Sequence, residues 1–268
     1  MQKYVLDKII STGTDYRAEE DKAYVITYIG TDSSSKATFK VAGAPVGEFI
    51  TDFAPLVKSN TNNAGPYPLG PCYIVVPRDK IFSFEGASGS KMRIKGMILE
   101  LEAGEALPTD FRSRYAEQTK RYVSYIADSV TKSEGTTISA KEEITVIDQT
   151  VPVGEKWLIN SYFMAAALED TTLLSTGNWA FRIYVEDKPL DIMDWDMGQL
   201  GIDHYSTPYP PTGTTNNQVF TLAEFPLELT AGKNIKVKVV NTSGSDYTVP
   251  TGSTFTAKAL LVIVKEIL

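Results

Sequence analysis

KATFKVAGAPVGEFITDF (residues 36–53) lies over NWAFRIYVEDKPLDIMDW (residues 178–195) without a gap, position 36 falling on position 178. The overlay pairs Phe39 with Phe181, Lys40 with Arg182, Val41 with Ile183, Ile50 with Ile192, Asp52 with Asp194 and Phe53 with Trp195. Self-similarity kept in one order along a chain is the signature of a repeated architecture, and this match extends both ways. Upstream, Ala23-Tyr24-Val25-Ile26 falls on Lys156-Trp157-Leu158-Ile159. Downstream, Pro66-Tyr67-Pro68 falls on Pro208-Tyr209-Pro210, KIFSFEGASG (80–89) on IKVKVVNTSG (235–244), and KGMILELE (95–102) on KALLVIVK (258–265). The order holds while the offset grows, so the second copy carries extra loop residues. The gapless part sets Ala42-Gly43-Ala44-Pro45 against Tyr184-Val185-Glu186-Asp187, two turns of different chemistry.

Within each copy the pattern is β. Phe82 and Phe84 alternate with Ile81 and Ser83, and Ile235, Val237 and Val239 alternate with Lys236 and Lys238, the period of a strand with one buried face. Met97–Leu101 and Leu260–Val264 are continuous apolar runs of strand length, expected where both faces are covered. Clusters of Gly, Pro, Asn and Ser punctuate at short spacing, at 31–35, 60–71, 86–90, 207–217 and 241–252. The fold class read from this is all-β: two tandem β-sandwich (jelly-roll) domains related by internal duplication, with short helices. The expected boundaries are 1–108 for the first sandwich, 109–120 for a linker and 121–268 for the second. After Pro108 the residues Phe111, Tyr115, Tyr122 and Ile126 approach helical spacing, with Thr109 or Asp110 as cap. The linker's Arg112, Arg114, Lys120 and Arg121 are expected to form a solvated basic face. A second short helix is expected at 49–57, with a counterpart at 192–200.

Composition narrows the function. The 268 residues are 43% hydrophobic and 22% charged, with 19 Gly and 14 Pro, which is ordinary globular usage and excludes collagen-like, disordered and coiled-coil chains. The net charge of -7, with no basic run, argues against direct nucleic-acid binding. No stretch reaches the ~18 consecutive apolar residues of a transmembrane helix. The first 22 residues show no signal-peptide core, so synthesis in the cytoplasm without a cleaved export signal is expected. One cysteine forms no internal disulfide, and one histidine removes most zinc sites and most Ser-His or Cys-His machinery. A non-enzyme is expected, with no catalytic, cofactor-binding or metal residues and no cofactor.

Chemistry could still reside in a few places. His204 lies in GIDHYSTPYP and reads as a surface or packing residue; Cys72 in GPCYIVV reads as a small buried hydrophobe. Asp187, Asp191, Asp194, Asp196 and Asp203 form the densest carboxylate cluster. Asp194 and Asp196 are the oxygen donors calcium takes, but the spacing fits no EF-hand loop, so an acidic solvated loop is expected. The chain has no Walker A lysine, GxSxG or HExxH, and its many carboxylates do not single out a glycosidase pair. Tyr67, Tyr205, Tyr209 and Tyr247 sit in loop sequence, where aromatics stack on sugars or anchor protein interfaces.

FKVAGAPVGEFITDFAPL (39–56) and FRIYVEDKPLDIMDWDMGQL (181–200) read as strand, tight turn, strand and short helix, twice. In this the chain resembles the double jelly-roll major capsid proteins of tailless icosahedral viruses, as a small member without tower insertions. The resemblance implies a virion structural protein, the shell-forming major capsid subunit, made in the host cytoplasm and located in the virion. It implies a homotrimer that assembles further, with other virion proteins as partners and contact with an internal membrane. The alternative is a carbohydrate-binding spike, turret or adhesin module that binds glycan through the loop tyrosines and the acidic loop around Asp194.

Overall fold

The computed structural model describes residues 1–50, 67–168, 172–173, 179–189, 195–196, 220–221 and 227–268. These residues form an all-β chain of antiparallel sheets. It divides into two compact units: the first holds the described residues of 1–50, 67–125 and 264–268, the second those of 126–263. The unit boundaries fall inside strands, between Tyr125 and Ile126 and between Ile263 and Val264.

The first unit contains β1 (Gln2–Ser11), β2 (Tyr16–Arg17), β3 (Lys22–Thr31), β4 (Ala37–Val41), β5 (Ala44–Phe49), β6 (Tyr67–Pro68), β7 (Ile74–Val76), β8 (Ile81–Glu85), β9 (Lys91–Glu100) and helix α1 (Thr109–Glu117). One sheet has the order β1-β9-β3-β6, with β7 also on β3; the other has the order β2-β8-β4-β5. Period-two alternation puts Phe39, Phe82 and Phe84, all fully buried, on one face of the second sheet. Tyr24 of β3 meets Phe82 of β8 edge-on at 5.7 Å, so the two inner faces close on each other as a sandwich. The apolar run at Met97–Leu101 is covered on its other face too, where Ala23, Val25, Leu99 and Leu101 cluster with Leu107 and Phe111 of the helix segment. Gly96 marks the closest approach of backbones. A Cβ there would lie 1.9 Å from the Val25 carbonyl oxygen, beside the register shift between Ile26 and Tyr28.

The helix stops at Glu117, short of the expected span. Tyr122 and Ile126 belong to β10 (Arg121–Lys132), where the Tyr-Val-Ser-Tyr sequence suits a strand better than a further helical turn. Of the expected solvated basic face, Arg112 and Lys120 are exposed and Arg121 is half-buried, but Arg114 departs from it. Arg114 is 6% exposed and Gln118 1%, because both side chains turn inward to satisfy backbone groups. Of the second expected helix, Phe49 ends strand β5 and Ile50 follows it, while 51–57 lie outside the described residues; in its counterpart Trp195 and Asp196 are extended and the rest lie outside.

The second unit continues with β11 (Thr137–Ile138), β12 (Glu143–Thr150), β13 (Glu155–Leu168), β14 (Thr172–Leu173), β15 (Trp179–Val185), β16 (Lys188–Pro189), β17 (Trp195–Asp196), β18 (Phe220–Thr221), β19 (Leu227–Leu229), β20 (Asn234–Asn241), β21 (Tyr247–Thr248) and β22 (Phe255–Ile267), the last running into the first unit. One sheet has the order β10-β22-β13-β14, with β18 and β19 on β13; the other has β12-β20-β15-β16, with β17 on β15, and β11 pairs β21 separately. Trp157, Phe255 and Leu261 from the first sheet share a buried cluster with Phe181, Val237 and Val239 from the second.

The orders β2-β8-β4-β5 and β12-β20-β15-β16 are the same path, as are β1-β9-β3 and β10-β22-β13. The match reaches individual pairs. Phe39 faces Phe84 and Val41 faces Phe82; in the second unit Phe181 faces Val239 and Ile183 faces Val237, the residues that the sequence overlay equates. Both hairpins turn through two residues with positive φ, Ala42 (50°) and Gly43 (81°) in one, Glu186 (52°) and Asp187 (63°) in the other. This is the type I′ pattern, which suits the strand twist. The turns therefore share a geometry that the gapless overlay hides, because the second hairpin is two residues longer on its first strand. Past the turn the gapless offset fails: Trp195 sits opposite Phe181, where Gly47 sits opposite Phe39, while Phe53, which the overlay sets against Trp195, lies outside the described residues.

Candidate functional site

Among the described residues the most developed polar constellation lies on the outer face of the β12-β20-β15 sheet. Alternation that buries Phe181, Ile183, Val237 and Val239 sends Arg182, Tyr184, Lys236 and Lys238 outward. Arg182 and Lys238 are direct cross-strand partners, an arrangement of like charges that repels unless an anion lies between them. Glu143, at the start of β12, is that anion. Its carboxylate accepts from Arg182 Nη1 at 2.6 Å, Lys238 Nζ at 2.8 Å and Tyr184 Oη at 2.5 Å. The Lys238 ammonium also lies 4.4 Å from the Tyr184 ring centroid. Burial pushes the Glu143 carboxyl up, but the hydrogen bonds from Lys238, Tyr184 and Arg182 and the charge of Lys238 outweigh it and hold the group at about 2. A carboxylate held so low stays charged across the neutral range, so the cluster presents paired charges on this face near neutral pH.

The next row continues the pattern. Asp187 in the hairpin turn pairs with Lys236 at 2.6 Å, and Glu186 pairs with Lys233 at 2.5 Å. Of the acidic cluster, then, Asp187 is an ion-paired turn residue. Asp196 is extended in β17, and Asp191, Asp194 and Asp203 lie outside the described residues, as do His204, Tyr205 and Tyr209. Among the described residues no group of three or more His, Cys, Asp or Glu is placed to hold a metal ion.

Cys72 sits at the end of a 3-10 turn (Gly70–Cys72), buried, and burial pushes its thiol up against the opposing charges of Arg114 and Arg121. Tyr67 lies in β6. Tyr247 packs edge-on against Trp179 at 5.3 Å, which makes it a packing residue of its own unit and not a loop-tip anchor. Arg114 donates to the carbonyls of Tyr73 at 2.7 Å and Arg121 at 2.8 Å, and Arg121 itself pairs with Glu266 at 3.1 Å. The reading from sequence found neither Glu143 nor Gln118. The Lys236/Lys238 alternation marked the outer, wet face of the strand, but nothing in linear order tied it to Glu143.

No family model matches the sequence, and no curated protein matches it. Solved structures to which the chain is similar include a peptide-N(4)-(N-acetyl-beta-D-glucosaminyl) asparagine amidase, at 11% identity and TM-score 0.29, covering 98% of this chain and 90% of that one. They include PBCV-1 VP54, fitted into a reconstruction of the virophage Sputnik, at 10% identity and TM-score 0.31, covering 100% and 96%. They also include infectious bursal disease virus, Gx strain, at 8% identity and TM-score 0.21, covering 98% and 77%. At these scores none of the likenesses carries an argument about function.

Proposed function

We propose that the chain is a virion structural protein, the shell-forming major capsid subunit of an icosahedral virus, with no enzymatic role. The observation that supports this reading is the common strand order of the two units, with Phe39–Phe84 and Phe181–Val239 in equivalent register. We infer that the units arose by duplication. A homotrimer of such a chain presents six similar modules about one axis, which tiles a shell with near-sixfold contacts while each module specialises its loops. A fixed, ion-paired outer face such as the Glu143 cluster suits a surface that must keep one shape among many copies. Such a protein is made in the host cytoplasm, resides in the virion and has other virion proteins as partners.

Native mass spectrometry and negative-stain imaging of purified protein across salt and concentration test the reading. Trimers, or a lattice built from them, are the expected result. A strict monomer at tens of micromolar under every condition overturns it. So does glycan release from a glycopeptide by the purified chain, or saturable glycan binding by a protein that never assembles.

A further inference from the structure

Strand β1 is the outermost strand of its sheet among the described residues, and its pairing with β9 runs unbroken from Gln2–Glu100 to Ser11–Lys91. Long regular edges invite pairing with another chain and are usually blunted by proline, a bulge, brevity or charged side chains of one sign that repel a second copy. β1, QKYVLDKIIS, has no proline, no register shift and ten residues, and its charges, Lys3, Asp7 and Lys8, are of both signs, so a second copy can pair them rather than be repelled.

Its outward-pointing peptide groups can be assigned. Ser11 N–H donates to Tyr16 Oη and Lys91 N–H to Asp32 Oδ1, so the Ser11–Lys91 pair exchanges no N–H···O bonds across the β1–β9 ladder. Antiparallel pairs alternate between bonded and non-bonded. Lys3, Val5, Asp7 and Ile9 therefore direct their N–H and C=O away from β9, into open edge. The same odd-numbered residues place their side chains on the outer face, where Val5 is 83% exposed and Ile9 59%.

We propose that this edge pairs with the β1 edge of a second copy of the chain, antiparallel about a two-fold axis through Val5. With Val5 opposite Val5 the register sets Lys3 of each copy opposite Asp7 of the other and Tyr4 opposite Leu6. Every outward N–H and C=O of Lys3, Val5 and Asp7 then finds a partner, and both Lys3–Asp7 pairs are opposite in charge. The Arg93 guanidinium, 2.7–2.8 Å from both Asp7 oxygens, holds that carboxylate in place. Sliding the register until Asp7 faces Asp7 sets like charges on the axis, so charge selects the Val5-centred register. The contact joins two sheets into one continuous sheet and supplies the two-fold that a shell of trimers requires. The proposal deepens the self-assembly reading and rests on it for its use.

A charge exchange provides the test. Lys3→Asp and Asp7→Lys each place like charges at both ends of the contact, and each variant alone should associate about tenfold more weakly than the parent, or worse, in sedimentation velocity. Mixed one to one, the two variants regain opposite charges at both ends and should form a heterodimer near the parent's affinity. Val5→Pro serves as a second probe, since a proline whose missing N–H faced solvent leaves the β1–β9 ladder whole; it should fold with the parent's circular dichroism and lose the dimer. The proposal is overturned by a parent that shows no two-fold association, by single variants that assemble as the parent does, or by a mixture that fails to associate. Trimers or particles indifferent to all these changes sink the edge contact and leave the capsid reading standing. A charge-dependent dimer that never grows larger keeps the edge contact and removes the capsid reading.

Discussion

Gln118 holds both backbone polar groups of Val75: its Oε1 accepts from the Val75 N–H at 2.9 Å, and its Nε2 donates to the Val75 carbonyl at 3.0 Å. One side chain thus stands in for a neighbouring strand along the free side of β7, and it does so fully buried. Replacement by leucine strands two buried backbone groups, each costing about 1–3 kcal/mol. Gln118→Leu should therefore lower unfolding stability by roughly 2–6 kcal/mol in urea denaturation. Gln118→Glu keeps the acceptor, loses the donor and should recover stability as the pH falls and the new carboxyl gains a proton to donate to Val75.

Gly96→Ala tests the closeness of β3 and β9. The new methyl group would sit 1.9 Å from a backbone oxygen that has no flexible route of escape. The variant should lose more than the ~1–3 kcal/mol of ordinary overpacking and accumulate as insoluble protein, whereas Gly89→Ala, with open space around it but positive φ, should fold with a modest loss. Soluble expression and thermal melting distinguish the two.

Phe39→Ala and Phe181→Ala remove fully buried rings from equivalent positions. Each should cost about 3–5 kcal/mol, and the two losses should be comparable. A large loss at one site and none at the other would break the equivalence between the units. Chemical denaturation of both variants provides the comparison.

Glu143 makes stability depend on pH in a defined direction. Its folded-state carboxyl titrates at about 2, below the ordinary 4.5, so its contribution is present in full above the ordinary range and is lost as pH falls from about 4.5 towards 2. The side chain is 23% exposed, so solvent screening reduces the effect to about 1–2 kcal/mol. Glu143→Gln should be less stable than the parent by that amount at pH 7, and the gap should close near pH 2. Thermal melts of both proteins between pH 7 and pH 2 provide the measurement.

The strands were legible wherever burial imposed a period on the residues. Phe82-Ser-Phe84 and Val237-Lys-Val239 state their inner and outer faces in linear order, and the residues that the overlay equates occupy matching cross-strand pairs in β4–β8 and β15–β20, though the overlay itself named no strand partners. The shared type I′ turn was illegible because geometry, not residue identity, is conserved there: Ala-Gly and Glu-Asp reach the same positive φ values by different chemistry. The helix was read too long because Tyr122 and Ile126 fall on a helical period by coincidence, and only pairing within a sheet assigns them to a strand. Arg114 and Gln118 looked like solvated linker residues because no linear signal records a backbone carbonyl 41 or 43 positions away. The Glu143 cluster draws on positions 143, 182, 184 and 238, and only the stacking of three strands makes it a unit.

The strand β22 begins in the second unit and finishes in the first, where Ile267 N–H donates to the Lys120 carbonyl at 2.7 Å. Translation therefore delivers the closing piece of the first unit about 140 residues after Tyr125, a delay of roughly 7–30 s at the usual 5–20 residues per second. During that interval the Lys120 carbonyl of the nascent chain waits without its Ile267 partner. A chain that stops before residue 264 therefore lacks the segment that completes the first unit.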